Sequence, residues 1–319
     1  MNQFADKLVA HKHVLITGAT GFIGTNLTNQ LRRRGYAVTA LTRDPARCSK
    51  LLGSEVDAVA WHEDLGARTF DAVVNLAGAR IAPIPWTAHR RGVLRNSRIA
   101  NTERLVKSLL VGETPPKVWI QASAVGVYGM TPPSKTIDEE CASGEDFASI
   151  LCRDWEDAAK PMQVGGARLC ILRIGLVLGK GGALPGLLFP IRMALGGPLG
   201  TGMQAFPWIH IDDLLKLIID CLEDERRVGP FNAVAPEQHT QSTFTRCAAD
   251  LLHRPYWFPT PAFLLKLLGE VSQLFLAGQQ VVPKRLLEES WRWDYPELKP
   301  ALASLLTGPI STKPTSEPK

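Results

Sequence analysis

No stretch of the 319-residue chain comes near 18 uninterrupted apolar residues, so no membrane-spanning segment is expected. C-x-x-C pairs are missing as well. The six cysteines, at 48, 141, 152, 170, 221 and 247, lie too far apart for a zinc knuckle or a disulfide framework in a chain of this length. They read as reduced thiols of a cytoplasmic protein. The start, MNQFADKLVAHKH, lacks the hydrophobic core and small-residue cleavage site of a signal peptide. Among seven histidines there is no H-E-x-x-H, and only His11 and His13 stand close together, so no metal site is expected. Charge is not collected in blocks: 36 Lys and Arg against 31 Asp and Glu give a net +5, too weak a field to argue for nucleic acid. An anionic small molecule is the simpler partner, and a homodimer stays open.

What is present is a chain with 45% hydrophobic residues, enough for a full core. From His13 to about Arg173, short β-branched runs alternate with helical patterns, which predicts an α/β fold with a doubly wound parallel sheet. The expected strands are 13–17, 36–42, 57–61, 71–76, 117–122 and 168–174. The expected helices are 22–34, 86–110 and 146–162, the last capped by Asp146. The Gly- and Pro-rich stretch after Leu178 suggests a loop-rich insertion or lid. A helix over 213–223 and, from about 235, a second apolar block with the Leu-rich, helical run PTPAFLLKLLGEVSQLFLAGQQVV follow. The organisation expected is a dinucleotide-binding domain over 12–180, rejoined by 205–230. A smaller, partly helical substrate or lid domain would use 181–204 and 235–305, leaving a disordered tail at 306–319.

The most informative segment is VLITGATGFIG, an apolar strand, then Gly18, Gly21 and Gly24, then a helix. That order lets backbone N–H groups at the helix N-terminus approach a pyrophosphate, with Thr20, Phe22 and Ile23 completing the turn. Cofactor choice is made at the end of the second strand, at Leu41, Thr42, Arg43, Asp44 and Pro45. Asp44 before Pro45 is the arrangement of an N-cap followed by proline at the first helical position. That leaves Arg43, with Thr42 beside it, to take a 2′-phosphate, which selects NADP(H) over NAD(H).

With ITGATGFIG, NLAG at 75–78, SAVGVYG at 123–129, LRIGLVLG at 172–179 and WIHIDD at 208–213, the chain resembles an extended short-chain dehydrogenase/reductase. LGGPLGTGMQAFPWIHIDDL and GQQVVPKR are similar to its atypical epimerase family branch, and the likeness runs from about residue 12 to 305. The resemblance implies a Rossmann fold in which Asn75, Leu76, Ala77 and Gly78 line the cofactor and the 175–178 turn, with Val177, passes the nicotinamide. It also implies a Tyr-x-x-x-Lys proton relay, and here the sequence departs. Aligning Glu156 with the acidic helix residue of the family puts Ala148 at the Tyr position and Cys152 at the Lys position. Only four tyrosines exist, at 36, 128, 256 and 295; Tyr295 alone has Lys four residues on, and Pro296 follows it at once. The catalytic Ser or Thr of the family falls on Ala124, with Ser123 one place early, and its Asn falls on Arg98.

Ser123 and Tyr128 are therefore the candidates for a replacement acid, because both belong to the strand end that meets the nicotinamide. Arg98 is a candidate contact for the diphosphate or an anionic substrate. His210 is weighed as a general base against a satisfied core histidine, and one of Asp212 and Asp213 as the cap of the 213–223 helix. Trp155 and Glu156 read as packing and surface charge. Two functions stay open: an oxidoreductase or epimerase with an unconventional proton donor, and a catalytically quiet NADP(H)-binding protein.

Overall fold

A computed structural model describes residues 12–63, 65, 68–81, 85–112, 114–132, 135–259 and 278–306. Of the apolar block expected from about 235, residues 260–277 lie outside the described residues, as does the tail after 306.

Alternation of apolar side chains along each strand builds the sheet. In β1 (His13–Thr17), Val14 and Ile16 enter one core and Leu15 the other, so both faces are buried. The same holds in β5 (Val118–Ala124) and β7 (Arg168–Ile174). With β2 (Ala37–Thr42), β3 (Asp57–Ala60), β4 (Ala72–Asn75) and β10 (Gly229–Ala233), they form a seven-stranded sheet in the order β10-β7-β5-β4-β1-β2-β3, every pair parallel. The direction of winding reverses between β1 and β4. At such a switch point the connections leave to opposite faces and open a crevice at the carboxyl edge.

Helices α1 (Phe22–Arg33) and α2 (Pro45–Leu52) cover one face. Asp44 caps α2 as expected, its carboxylate accepting from Arg47 N–H at 2.9 Å. The other face is covered by α4 (Asn101–Leu110) and α5 (Phe147–Val164), the latter capped by Asp146. The helix expected over 86–110 is not continuous. It is α3 (Ala88–Arg95), a π-helical turn over Asn96–Ala100, then α4.

Three further expectations change. The 175–178 turn is instead a short strand, β8 (Leu176–Leu178), paired with β9 (Trp208–His210). The Gly- and Pro-rich segment contains a helix, α6 (Leu184–Arg192), because Leu184, Leu188 and Ile191 recur at helical spacing and bury one stripe. The helix α7 (Ile211–Glu223) is capped by His210, whose Nδ1 accepts from Asp212 N–H at 3.1 Å. Neither aspartate caps it: Asp213 is buried and accepts the backbone N–H groups of Asp294 and Tyr295 at 2.6 and 3.0 Å. After α8 (Gln241–Leu251), the two-residue β11 (Gln280–Val281) pairs with β6 (Thr136–Ile137), and α9 (Lys284–Glu288) and α10 (Leu298–Leu306) follow. α6, α8 and α10 share a third apolar core.

Candidate cofactor site

Gly18 leaves β1 with φ +70°, a conformation glycine adopts without the Cβ penalty. Its carbonyl accepts Gly21 N–H at 2.9 Å, which folds the loop back onto the start of α1. A Cβ on Gly24 would stand 2.2 Å from that same oxygen, so the helix crosses the strand where only glycine fits. Gly21 is different. It is exposed, caps α1 without a side chain, and is followed by no acidic residue in the first turn. The first N–H groups of α1 therefore face the crevice with nothing on the side-chain level to occupy them, as an anion site requires. Thr20 is half-buried beside them, Ile23 packs into the core, and Phe22 lies against Gly179, Gly181 and Gly182.

Across the crevice, Leu76, Ala77 and Gly78 leave β4. The backbone of Leu76 lies 3.0 Å from where a Gly18 Cβ would be, so the two strand exits touch. Thr17 fixes this contact: its hydroxyl accepts Leu76 and Ala77 N–H at 3.1 and 3.0 Å and donates to Asn75 Oδ1 at 2.6 Å. The Asn75 amide donates to Thr102 and to Gln121, at 2.8 and 2.9 Å. Asn75 is thus wholly buried and spends its side chain inside the protein, supporting the crevice rather than lining it. Thr17, Thr102 and Gln121 were not singled out in the sequence. Polar residues at buried strand and helix positions were the available signal, since such groups must find partners.

At the β2 end, Arg43 is exposed and Thr42 half-buried, with the Thr42 hydroxyl accepting Asp44 N–H at 3.3 Å. On the opposite side, Arg98 comes up from the π-helical turn behind Gly78. A Cβ on Gly78 would stand 2.9 Å from the guanidinium carbon, and the Trp155 ring lies 5.1 Å away. Val177, in β8, is partly buried and packs against the core that includes residues of α1 and α7.

Ser123 and Tyr128 lie elsewhere. The β5–β7 ladder runs without a bulge, with Ser123 beside Arg173 and Ala124 beside Ile174. Ser123 therefore faces α5 and donates to Glu156 Oε1 at 2.6 Å. Arg173 pairs with both Glu156 oxygens, at 3.1 and 3.0 Å, and donates to the Tyr128 oxygen at 3.0 Å. Tyr128 donates to Asn232 Oδ1 at 2.6 Å, and Glu139 accepts Asn232 N–H at 2.9 Å. Burial pushes the Tyr128 phenol up to about 12, against the opposing pull of Arg173. Both hydroxyl protons are committed inside a closed network. Glu156, expected as a surface charge, is its buried anion, because Arg173 stands in the middle of an otherwise apolar strand end and needs one.

On α5, Cys152 packs with Val125, Val127 and Tyr128, and Ala148 faces Gly126. Burial, with Glu156 adding to it, raises the Cys152 thiol to about 11. His210 is buried, has its ring 3.8 Å from that of Tyr295 at a tilt of 31°, and has its pKa lowered by burial. It serves as the cap of α7.

This fold and its glycine loop match the model of the NAD dependent epimerase/dehydratase family over residues 14–234. The chain belongs to that family. A second match, to a domain of unknown function (DUF1731), covers residues 260–305. Among family relatives, the epimerase family protein YfhF of Bacillus subtilis is 35% identical over 92% of this chain and 98% of its own. The bovine epimerase family protein SDR39U1 is 37% identical over 92% of this chain and 99% of its own. The crystal structure of human SDR39U1 (isoform 2) with NADPH superposes with a TM-score of 0.84 at 34% identity, covering 92% and 98% of the two chains. A UDP-glucose 4-epimerase from Thermus thermophilus, in complex with NAD, shares the fold at a TM-score of 0.71 and 15% identity.

Proposed function

We propose that this family member binds NADP(H) and acts as an oxidoreductase or epimerase-like enzyme on a carbonyl or alcohol substrate. The observation that carries the reading is the bare N-terminus of α1 at the switch point, an anion site with no side chain of its own to fill it. Arg43 at the β2 exit, the acid beside it spent on capping, favours the 2′-phosphorylated cofactor. The human relative described with NADPH supports the same choice. The α1 N-terminus and Arg43 would hold the phosphates, and Leu76, Ala77 and Gly78 the opposite wall. When bound, the cofactor supplies or accepts hydride. The six free thiols fit a reducing compartment, and we place the protein in the cytoplasm.

A reduced carbonyl must also gain a proton, and the residues at the family's Tyr and Lys positions are Ala148 and Cys152. Ser123 and Tyr128 hold their protons in the Glu156–Arg173–Asn232 network, so a reduction draws its proton from water or from the substrate. The same observation favours a second reading, a catalytically quiet NADP(H)-binding protein.

Fluorescence titration tests the cofactor choice that both readings share. NADPH should bind better than NADH, and Arg43→Ala should weaken NADPH by about 10- to 150-fold, the equivalent of a charge-assisted contact of about 1.5–3 kcal/mol, with NADH nearly unchanged. Equal losses for both cofactors would show that Arg43 does not read the 2′-phosphate. Turnover assays with sugar nucleotides, quinones and aldehydes then decide activity: tight NADPH binding with no oxidation by any of them supports the quiet protein.

A further inference from the structure

Arg98 brings a positive charge to the wall of the crevice without a matching negative one. Its guanidinium lies between the Trp155 ring and the backbone of Gly78, and among the described residues no carboxylate pairs with it. Its Nη1 is buried and has no hydrogen-bond partner there. Burial lowers the pKa of the group from its ordinary value, with Arg90 adding to the shift, yet a guanidinium stays cationic at neutral pH. Leaving a buried charged donor unpaired costs more than leaving out the side chain, so the arrangement implies an acceptor that arrives with a ligand.

The backbone around Arg98 is built for this presentation. Asn96–Ala100 is π-helical, and the adjacent Ser97 hydroxyl accepts Ala79 N–H at 3.0 Å, tying the turn to the β4 exit. Such turns re-aim side chains and recur at functional sites. Gly78 leaves the room that the guanidinium fills.

The order of strand exits says which part of the ligand meets it. Arg43 stands at the β2 exit, the bare α1 N-terminus at β1, and Arg98 beyond the β4 exit, towards β5. A dinucleotide with its 2′-phosphate at β2 and its diphosphate at α1 extends its nicotinamide nucleotide towards β4 and β5. The oxidised nicotinamide ring carries a positive charge and the reduced ring none. We propose that the Arg98 guanidinium faces the nicotinamide nucleotide and, by its charge, makes the site select the reduced cofactor, NADPH, over NADP+. This rests on the NADP(H) reading and adds a redox preference to it.

The test is the ratio of dissociation constants for NADP+ and NADPH, measured by calorimetry on the full chain at one ionic strength. The wild-type protein should bind NADPH about tenfold or more tighter, and Arg98→Met, which keeps the stem against Trp155 but removes the charge, should lower the ratio about tenfold. By linkage, a tenfold ratio raises the midpoint potential of the bound couple by about 30 mV, which a redox titration reads independently of turnover. Arg98→Lys should keep the ratio within about threefold, since the charge remains. If Arg98→Met does not fold, Gly78→Ala carries the test, because its methyl group displaces the guanidinium and should lower the ratio in part. An unchanged ratio in folded Arg98→Met or Gly78→Ala protein, with NADPH still bound, overturns the role of Arg98 alone. Failure of the wild-type protein to bind either form overturns the NADP(H) reading and this proposal with it.

Discussion

Tyr128 shows how one buried hydroxyl ties acid–base behaviour to stability. Burial raises its phenol from 10.0 to about 12 in the folded protein. Below pH 10 the phenol is neutral in both states and its native hydrogen bonds count in full. Between pH 10 and 12 it ionises in the unfolded chain first, so stability falls as pH rises through that window, by up to about 2–3 kcal/mol. Tyr128→Phe should lose correspondingly less stability over the same range in urea unfolding. Parallel slopes for the two proteins would mean that the phenol ionises at its ordinary pKa in the fold. The network around it also shows where the hydroxyl protons of Ser123 and Tyr128, the acid candidates of the sequence, are held. Their positions at the strand end are as expected, but Arg173 and Glu156, read as a strand residue and a surface charge, claim both hydroxyls.

At the level of elements, the loop from β1 to α1 assigns different work to two of its glycines. Gly24 keeps the helix in contact with the strand, since its Cβ would meet the Gly18 carbonyl at 2.2 Å; Gly21 has a looser 3.2 Å contact and an open side. Gly21→Val should therefore fold with nearly unchanged thermal stability and lose NADPH affinity by about 100-fold or more, because its side chain fills the space in front of the helix N-terminus. Gly24→Ala should instead lower thermal stability, as expected of overpacking that costs about 1–3 kcal/mol. Gly21→Val protein that binds NADPH as the wild type does would show that the glycines serve the turn only. The helix read as continuous over 86–110 is the element where sequence pattern misled. Its apolar spacing continues through residue 96, and the π-helical turn answers to Ser97 and Arg98 meeting the β4 exit, a contact invisible to helical periodicity.

Across the whole molecule, the segment 278–306 is fastened to the elements around the seven-stranded sheet at several places. β11 pairs with β6, Arg285 N–H reaches Glu139 at 3.4 Å, and Asp213 of α7 accepts the N–H groups of Asp294 and Tyr295. The Asn232 amide donates to Val282 O at 3.0 Å, which joins the Tyr128 network to the same segment. Asp213→Ala removes the acceptor for two part-buried backbone donors and should cost about 1–3 kcal/mol. Amide hydrogen exchange at residues 294 and 295 should rise in that variant ahead of exchange in the sheet. Equal acceleration everywhere would show that the segment and the sheet open together.

The sequence by itself determined what local order can encode. The glycine spacing after an apolar strand, the alternation of buried residues in six parallel strands, and the Asp44–Pro45 and Asp146 helix starts all depend on neighbours within a few residues. The positions of Gly18, Gly21, Gly24 and Arg43 at one crevice edge follow from that order together with the winding of the sheet. Only the tertiary structure decided which polar groups are consumed and which are left. Ser123 meets Glu156 across 33 residues and Tyr128 meets Asn232 across 104, so no periodicity within a segment reveals that their protons are committed. For the same reason His210 emerged as a cap, Asn75 as a buried support, and Arg98 as a cation whose buried Nη1 has no partner among the described residues. Buried polar groups must be paired, and the fold alone determines what lies within reach of each.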